Sequence, residues 1–164
     1  MNIEEAIRQR RSIRKYAKHM PKEVDIEKII EAAIWAPSGL NNQPWKFMIL
    51  RGDRKNGLAE FTKYADIIKQ APLAICVFLD NSVTYNREKD IMSLGASIQN
   101  MLLQAYEMGL GTCWLGEILN RKTEVHQFLG SSPDYELMAV VTLGVAGKEI
   151  TEACRRNLNS FILD

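Results

Sequence analysis

Apolar positions along this chain change rhythm several times, and each change marks an element. Behind Asn2 and Glu5, a pairing suited to a helix start, Ile3, Ala6 and Ile7 share one face of a short helix ending near Ser12. A second helix is marked more strongly. Asp25 stands as its cap, Ile26, Ile29, Ile30, Ala33 and Ile34 form one stripe, and Pro37 stops the run. The turn-rich "APSGLNNQPW" follows, flanked by Trp35 and Trp45, both read as core packing, and then the strand-like "KFMIL". Residues 54–70 have the charged, moderate periodicity of a surface helix. "LAICVFL", residues 73–79, is the continuous apolar run of a strand covered on both faces, and residues 80–89 read as a loop. From Asp90 to Met108 a long helix is apolar nearly all round, which implies burial on more than one side, a partner subunit being one candidate. A glycine-rich turn into a short extended piece comes next. A helix over 122–129, the strand "LMAVVTLG" over 137–144 and an irregular tail complete the chain. With no repeat and no linker, this order predicts one α/β or α+β domain over residues 1–164, built on a central sheet.

Composition narrows the class. A length of 164 residues, 46% hydrophobic, is enough for a core that needs no metal or disulfide staple. No run of about eighteen apolar residues is available to span a membrane. "MNIEEAIRQRR" lacks the apolar region of a signal peptide, so the expected compartment is the cytoplasm. Cys76, Cys113 and Cys154 are odd in number and widely spaced, as free thiols are. His19 and His126 stand apart, and no Cys-x-x-Cys or His-Glu-x-x-His spacing occurs, so no metal is expected.

Charge changes the picture at one place. "RQRRSIRKYAK", residues 8–18, holds six cations and no acid in a chain whose formal charge is only +1. A solvated helix face, a nucleic-acid patch and a pocket for one small anion all fit such a cluster. The near-neutral total weighs against nucleic acid, which calls for a basic domain. Arg10, Arg11, Ser12 and Arg14 combine fork-shaped donors with a hydroxyl, the chemistry of phosphate capture. Lys148, Arg155 and Arg156 in the tail are further cations for the same anion. Asn41, Asn42 and Gln43, between Pro37 and Pro44, offer paired donors and acceptors suited to the edge of a planar ring. The glycines of "GLGTCWLG" do not have the G-x-G-x-x-G spacing, and a helix precedes them where a dinucleotide fold needs a strand. They leave two readings, a helix C-cap at Gly109 with a tight turn, or backbone N–H groups bared for a flat ligand to lie against.

In this order, "RRSIRKY", "APSGLNNQPW", "GASIQNMLLQAYEMGLGTCWLG" and a glycine-led basic tail resemble the nitroreductase family of FMN-dependent oxidoreductases, over about Ile3 to Leu158. The resemblance implies an α+β fold, a central, mainly antiparallel sheet surrounded by helices, and an intertwined homodimer with FMN sites at the interface. Carried over by position, it implies that Arg10, Arg11 and Ser12 hold the FMN phosphate and that Arg14 lies near the pyrimidine end of the flavin ring. Pro37, Ser38 and Asn41 would line the site from the other subunit, and Leu115 and Gly116 would place backbone groups near N5. In the tail, Arg155 matches a phosphate-binding arginine and Lys148 matches more weakly. The tail departs from the family's proline-flanked pattern, having no proline, and the short segment before Asp90 implies an open or partner-completed pocket.

The activity implied is a ping-pong reduction of electron-poor acceptors, such as nitroaromatics or quinones, at the expense of NADH or NADPH. The hard chemistry then belongs to the cofactor, and no catalytic nucleophile or general base is required. The same scaffold is compatible with ene reduction, dehalogenation, flavin fragmentation or a flavin-binding module without turnover.

Overall fold

The computed structural model describes residues 2–147 and 153–163. Four strands form one sheet: β1 (Trp45–Arg51), β2 (Leu73–Asp80), β3 (Gly111–Leu115) and β4 (Tyr135–Gly144). Their order is β1-β2-β4-β3, and every pairing is antiparallel. In register, Trp45 stands opposite Leu79, Leu73 opposite Leu143, and Gly111 opposite Gly144. The uninterrupted apolar run of β2 is explained by its central place, because every residue of the strand is buried.

Among the described residues six α-helices surround the sheet: α1 (Ile3–Gln9), which packs on α5, then α2 (Glu23–Ile34), α3 (Gly52–Leu58), α4 (Ala65–Gln70), α5 (Arg87–Glu107) and α6 (Lys122–Leu129). On one face, Ile26 and Ile29 of α2 and Leu94, Ile98 and Met101 of α5 pack against Ile75, Val77 and Val141. On the other, Leu58, Ile68, Val125 and Leu129 from α3, α4 and α6 pack against Cys76, Phe78 and Val140. The sheet thus lies between two apolar layers, and its β3 edge carries the candidate site.

Several expectations need correction. The helix expected over 54–70 is broken into α3, a 3-10 turn at Ala59–Phe61, and α4. Thr62 between them is extended, and its hydroxyl donates to Glu117 Oε2 at 2.5 Å, a tertiary contact no local pattern encodes. Asp25 lies in the first turn of α2, where a carboxylate favours the helix dipole, and Lys22 takes the cap position without a side-chain bond. Helix α5 starts earlier than Asp90, at Arg87, because Asn86 accepts the Lys89 N–H as its cap. Trp45 is core, but Trp35 is 79% exposed and borders a groove with the exposed Ile3.

No helix among the described residues is long and apolar enough to cross a membrane. Cys76 and Cys113 are buried and Cys154 is exposed, and burial pushes the Cys76 thiol up to about 12. A thiol reagent applied to the native protein should therefore titrate Cys154 first and reach the other two only on unfolding. Rapid labelling of all three in native buffer would contradict this burial pattern.

Candidate functional site

The basic segment leaves α1 and is knitted onto the β3 edge. Ile13 N–H donates to Thr112 O at 2.8 Å, and Ser12 forms a parallel bridge with Thr112. Further on, Tyr16 bridges Ala146, Ala17 N–H donates to Val145 O at 3.0 Å, and Gly147 N–H donates to Lys15 O at 2.8 Å. Residues 12–17 are thereby fixed between β3 and the segment that follows β4. The Tyr16 hydroxyl adds a 2.7 Å hydrogen bond to the Thr142 hydroxyl, which donates in turn to Cys113 O at 3.4 Å. Burial raises the Tyr16 phenol above its ordinary range, so it stays protonated and serves as an anchor.

At the entry to β3, Gly109 takes the helix-stop reading. Gly109 (φ 74) donates to Tyr106 O and Leu110 donates to Ala105 O, the paired bonds of a left-handed helix stop. Gly111 instead serves close approach, but to protein: a Cβ there would lie 2.6 Å from Ile13 Cγ1. Gly111→Ala should cost about 1–3 kcal/mol by forcing the basic segment off the strand. A denaturant midpoint unchanged from wild type would remove that reason for the glycine.

Arg10 and Arg11 stand side by side, and the charge of Arg155, remote in sequence, also acts on Arg10. Burial, with the like charges of Arg11 and Arg155, lowers the Arg10 guanidinium pKa. Arg10 Nε is buried with no hydrogen-bond partner. Among the ion pairs of the described residues, none involves Arg10, Arg11, Arg14 or Arg155. Arg10 and Arg11 border a cleft of about 170 Å³, closed on its other side by Tyr106, Gly109 and Gly111. Arg11 is also turned back, donating to Arg8 O at 2.7 Å and Arg10 O at 2.8 Å, which caps the end of α1. Arg155 donates to Cys154 O at 2.8 Å. Arg14 is exposed, with a weak 3.5 Å contact to Ser12 O. Burial raises the Cys113 thiol against the opposing pull of Arg14 and Arg10, so both cations flank β3. Leu115 ends that strand and is buried, and Gly116 beyond it is exposed. Lys148 lies outside the described residues.

The loop over 36–44 is elsewhere. Pro37 and Ser38 face Met92, Ser93 and Ala96 of α5, while the basic cleft meets the same helix at Tyr106. Ten residues of helix from Ala96 to Tyr106 separate these levels by about 15 Å. The loop also enters β1 at one sheet edge, whereas the basic segment, Leu115 and Gly116 lie at the other. Three strand spacings add about 14 Å across the sheet. The ring-edge candidates Ser38 and Asn41 and the strand-end candidates Leu115 and Gly116 of one chain therefore do not meet around one ligand.

Sequence reasoning missed Thr142 and Tyr16 as anchors, and Tyr106 and Gly111 as walls. The one sign available was a tyrosine closing the basic run, four residues after Ser12.

A model of the nitroreductase family matches residues 7–63 and 54–145. A protein of Methanothermobacter thermautotrophicus, provisionally named NADH dehydrogenase/NAD(P)H nitroreductase, is 35% identical over 148 residues, covering 88% of this chain and 77% of its own length. The Thermotoga neapolitana iodotyrosine deiodinase is 30% identical over 131 residues, covering 64% of this chain and 68% of its own. A crystal structure from Desulfovibrio desulfuricans, provisionally named a nitroreductase and solved with FMN, superposes with a TM-score of 0.95 at 40% identity, over 100% of this chain and 97% of that one. Sequence and fold agree along nearly the whole length, and this chain belongs to the nitroreductase family.

Proposed function

We propose that this chain is an FMN-dependent oxidoreductase that uses NADH or NADPH to reduce electron-poor small molecules such as nitroaromatics or quinones. We propose further that it works as a homodimer with two flavin sites at the interface. The observation that carries the reading is that Arg10 and Arg11 border one cleft, with Arg10 Nε buried and unpartnered and the like charge of Arg155 acting on Arg10. Like charges are not gathered without cost, and a phosphate would relieve both the repulsion and the orphaned donor. The residues present thus fit FMN.

FMN, when bound, takes a hydride from NAD(P)H and delivers reducing equivalents to the acceptor. The chain contributes position and electrostatics. Arg10, Arg11 and Arg155, with Ser12, would hold the phosphate. Arg14, held beside β3 but open to the surface, would stabilise negative charge developing at the pyrimidine end of the ring. Leu115 and Gly116 would offer backbone groups near N5. Pro37, Ser38 and Asn41 would come from the second copy, which the separation of the two halves within one chain supports. Leu158, Phe161, Ile162 and Leu163 in the tail, and separately Trp35 at the end of α2, are exposed apolar side chains that a second copy would cover.

The purified protein should be yellow, release FMN on denaturation, and reduce bound FMN with NAD(P)H faster than free flavin reacts in a stopped-flow trace. A colourless chain that takes up no added FMN sinks the reading. Arg14→Gln should lower the flavin midpoint potential while leaving most of the cofactor bound; an unchanged potential with intact binding removes its assigned role. Because one relative is a deiodinase, the acceptor screen should include halogenated phenols, with halide release as the distinguishing product.

A further inference from the structure

Asp90 is a fully buried carboxylate near the start of α5, and no ion pair among the described residues involves it. A buried polar side chain persists only when hydrogen bonds replace its hydration. Two of those bonds are local: Oδ2 accepts the backbone N–H groups of Tyr85 at 3.2 Å and Asn86 at 3.4 Å. The remaining one is not. Oδ1 accepts Asn42 Nδ2 at 2.9 Å, across 48 residues of sequence, and the same Nδ2 donates to Val83 O at 3.1 Å.

Asn42 lies in a strained loop. Leu40, Asn41 and Gln43 all have positive φ, at 55°, 54° and 48°, although none is glycine. Such backbone persists only when its surroundings overdetermine it. Inside the loop, Ser38 Oγ accepts the Gln43 N–H at 3.0 Å and Gln43 Nε2 donates to Asn41 O at 3.2 Å. These bonds close the loop on itself without tying it to the domain. The Asn42 amide ties it to α5 and to the segment before that helix. Asn42 is half-buried, whereas Asn41 beside it is exposed.

We propose that Asp90 is a positioning residue for the flavin ring: through Asn42 it holds the 38–43 loop in the strained form that presents Ser38 and Asn41 to a bound flavin. The proposal rests on the functional reading above. Asp90 itself touches no ligand. If it served only to cap α5, its loss would alter stability and leave a bound flavin unaffected.

The test compares Asp90→Asn, Asn42→Ala and the double variant as full-length chains. FMN affinity is read by fluorescence, the visible bands and circular dichroism of bound flavin report the ring environment, and the thermal midpoint is taken on apoprotein. Each single variant should weaken FMN about tenfold and shift the flavin bands, with the double variant no worse than the worse single. Arg10→Ala should weaken FMN without shifting the bands of the flavin that still binds. Wild-type affinity and spectrum in both single variants, or a change confined to the apoprotein midpoint, overturns the proposal. Should Asp90→Asn not fold, Asn42→Ala decides by the same readouts, since it leaves the Asn86 cap and both Oδ2 bonds intact. Wild-type protein that takes up no FMN defeats the functional reading itself, and the positioning role falls with it.

Discussion

Arg10→Ala is expected to lower FMN affinity by about two orders of magnitude, measured as the dissociation constant from flavin fluorescence. Hydrogen bonds to a charged group contribute roughly 1.5–3 kcal/mol each, and a factor of ten corresponds to about 1.4 kcal/mol. Arg10 stands out within the cluster because its Nε is buried without a partner, while Arg11 and Arg155 each spend donors on backbone carbonyls. The same crowding gives a second readout. Arg11 and Arg155 raise the cost of keeping Arg10 charged, so relief by an anion should stabilise the folded chain. Inorganic phosphate should raise the thermal midpoint of wild-type apoprotein and have little effect on Arg10→Ala. Binding should also weaken with salt, as expected of an only partly buried charge cluster. An Arg10→Ala protein retaining FMN within about threefold of wild type would place the phosphate elsewhere.

The other large effect concerns which copy supplies each half of the site. Mixed dimers of an Arg10→Ala chain with an Asn41→Val chain should recover about half of the wild-type FMN sites at a flavin concentration where neither parent is filled. The loop of each chain lies on the sheet edge opposite its own basic segment, so in the proposed dimer a site would draw on two copies. One of the two sites in the mixed dimer then receives only wild-type halves, and the other receives both lesions. Valine at position 41 disrupts the loop because a β-branched residue resists the φ of 54° found there. Recovery of no sites would mean that one chain completes its own site, contrary to the separation across the sheet.

Much of this arrangement can be read along the chain. Of the stripe Ile26, Ile29, Ile30, Ala33 and Ile34, periodicity places Ile26, Ile29 and Ala33 correctly in the core while Ile34 at the helix end is exposed, and the unbroken run of β2 lies at the centre of the sheet because it must be covered twice. The resemblance to the nitroreductase family, carried by "RRSIRKY", "APSGLNNQPW" and "GLGTCWLG", agrees with the family model and with the fold of an FMN-bound relative. Legibility failed where a distant partner overrides a local preference. Residues 54–70 have helical periodicity, yet Thr62 is drawn out of the helix by Glu117. Trp35 has the composition of a core residue, yet it lies on a face that its own chain leaves uncovered. Asp90 looks like one more acid at a helix start until Asn42 is found against it.

From its sequence alone, this protein has its element order, its two-sided central strand and the chemistry of its basic segment. Each depends on neighbours within a few residues, through side-chain period, caps and turn residues. Tertiary structure decided which cations border the cleft, which sheet edge carries the basic segment and which the loop, and which distant carboxylate Asn42 meets. Ser12 and Asn41 part because the strand order β1-β2-β4-β3 sets their segments at opposite edges of the sheet. Strand order follows from packing two apolar layers onto one sheet, an energy summed over residues far apart in the chain, and no local window contains it.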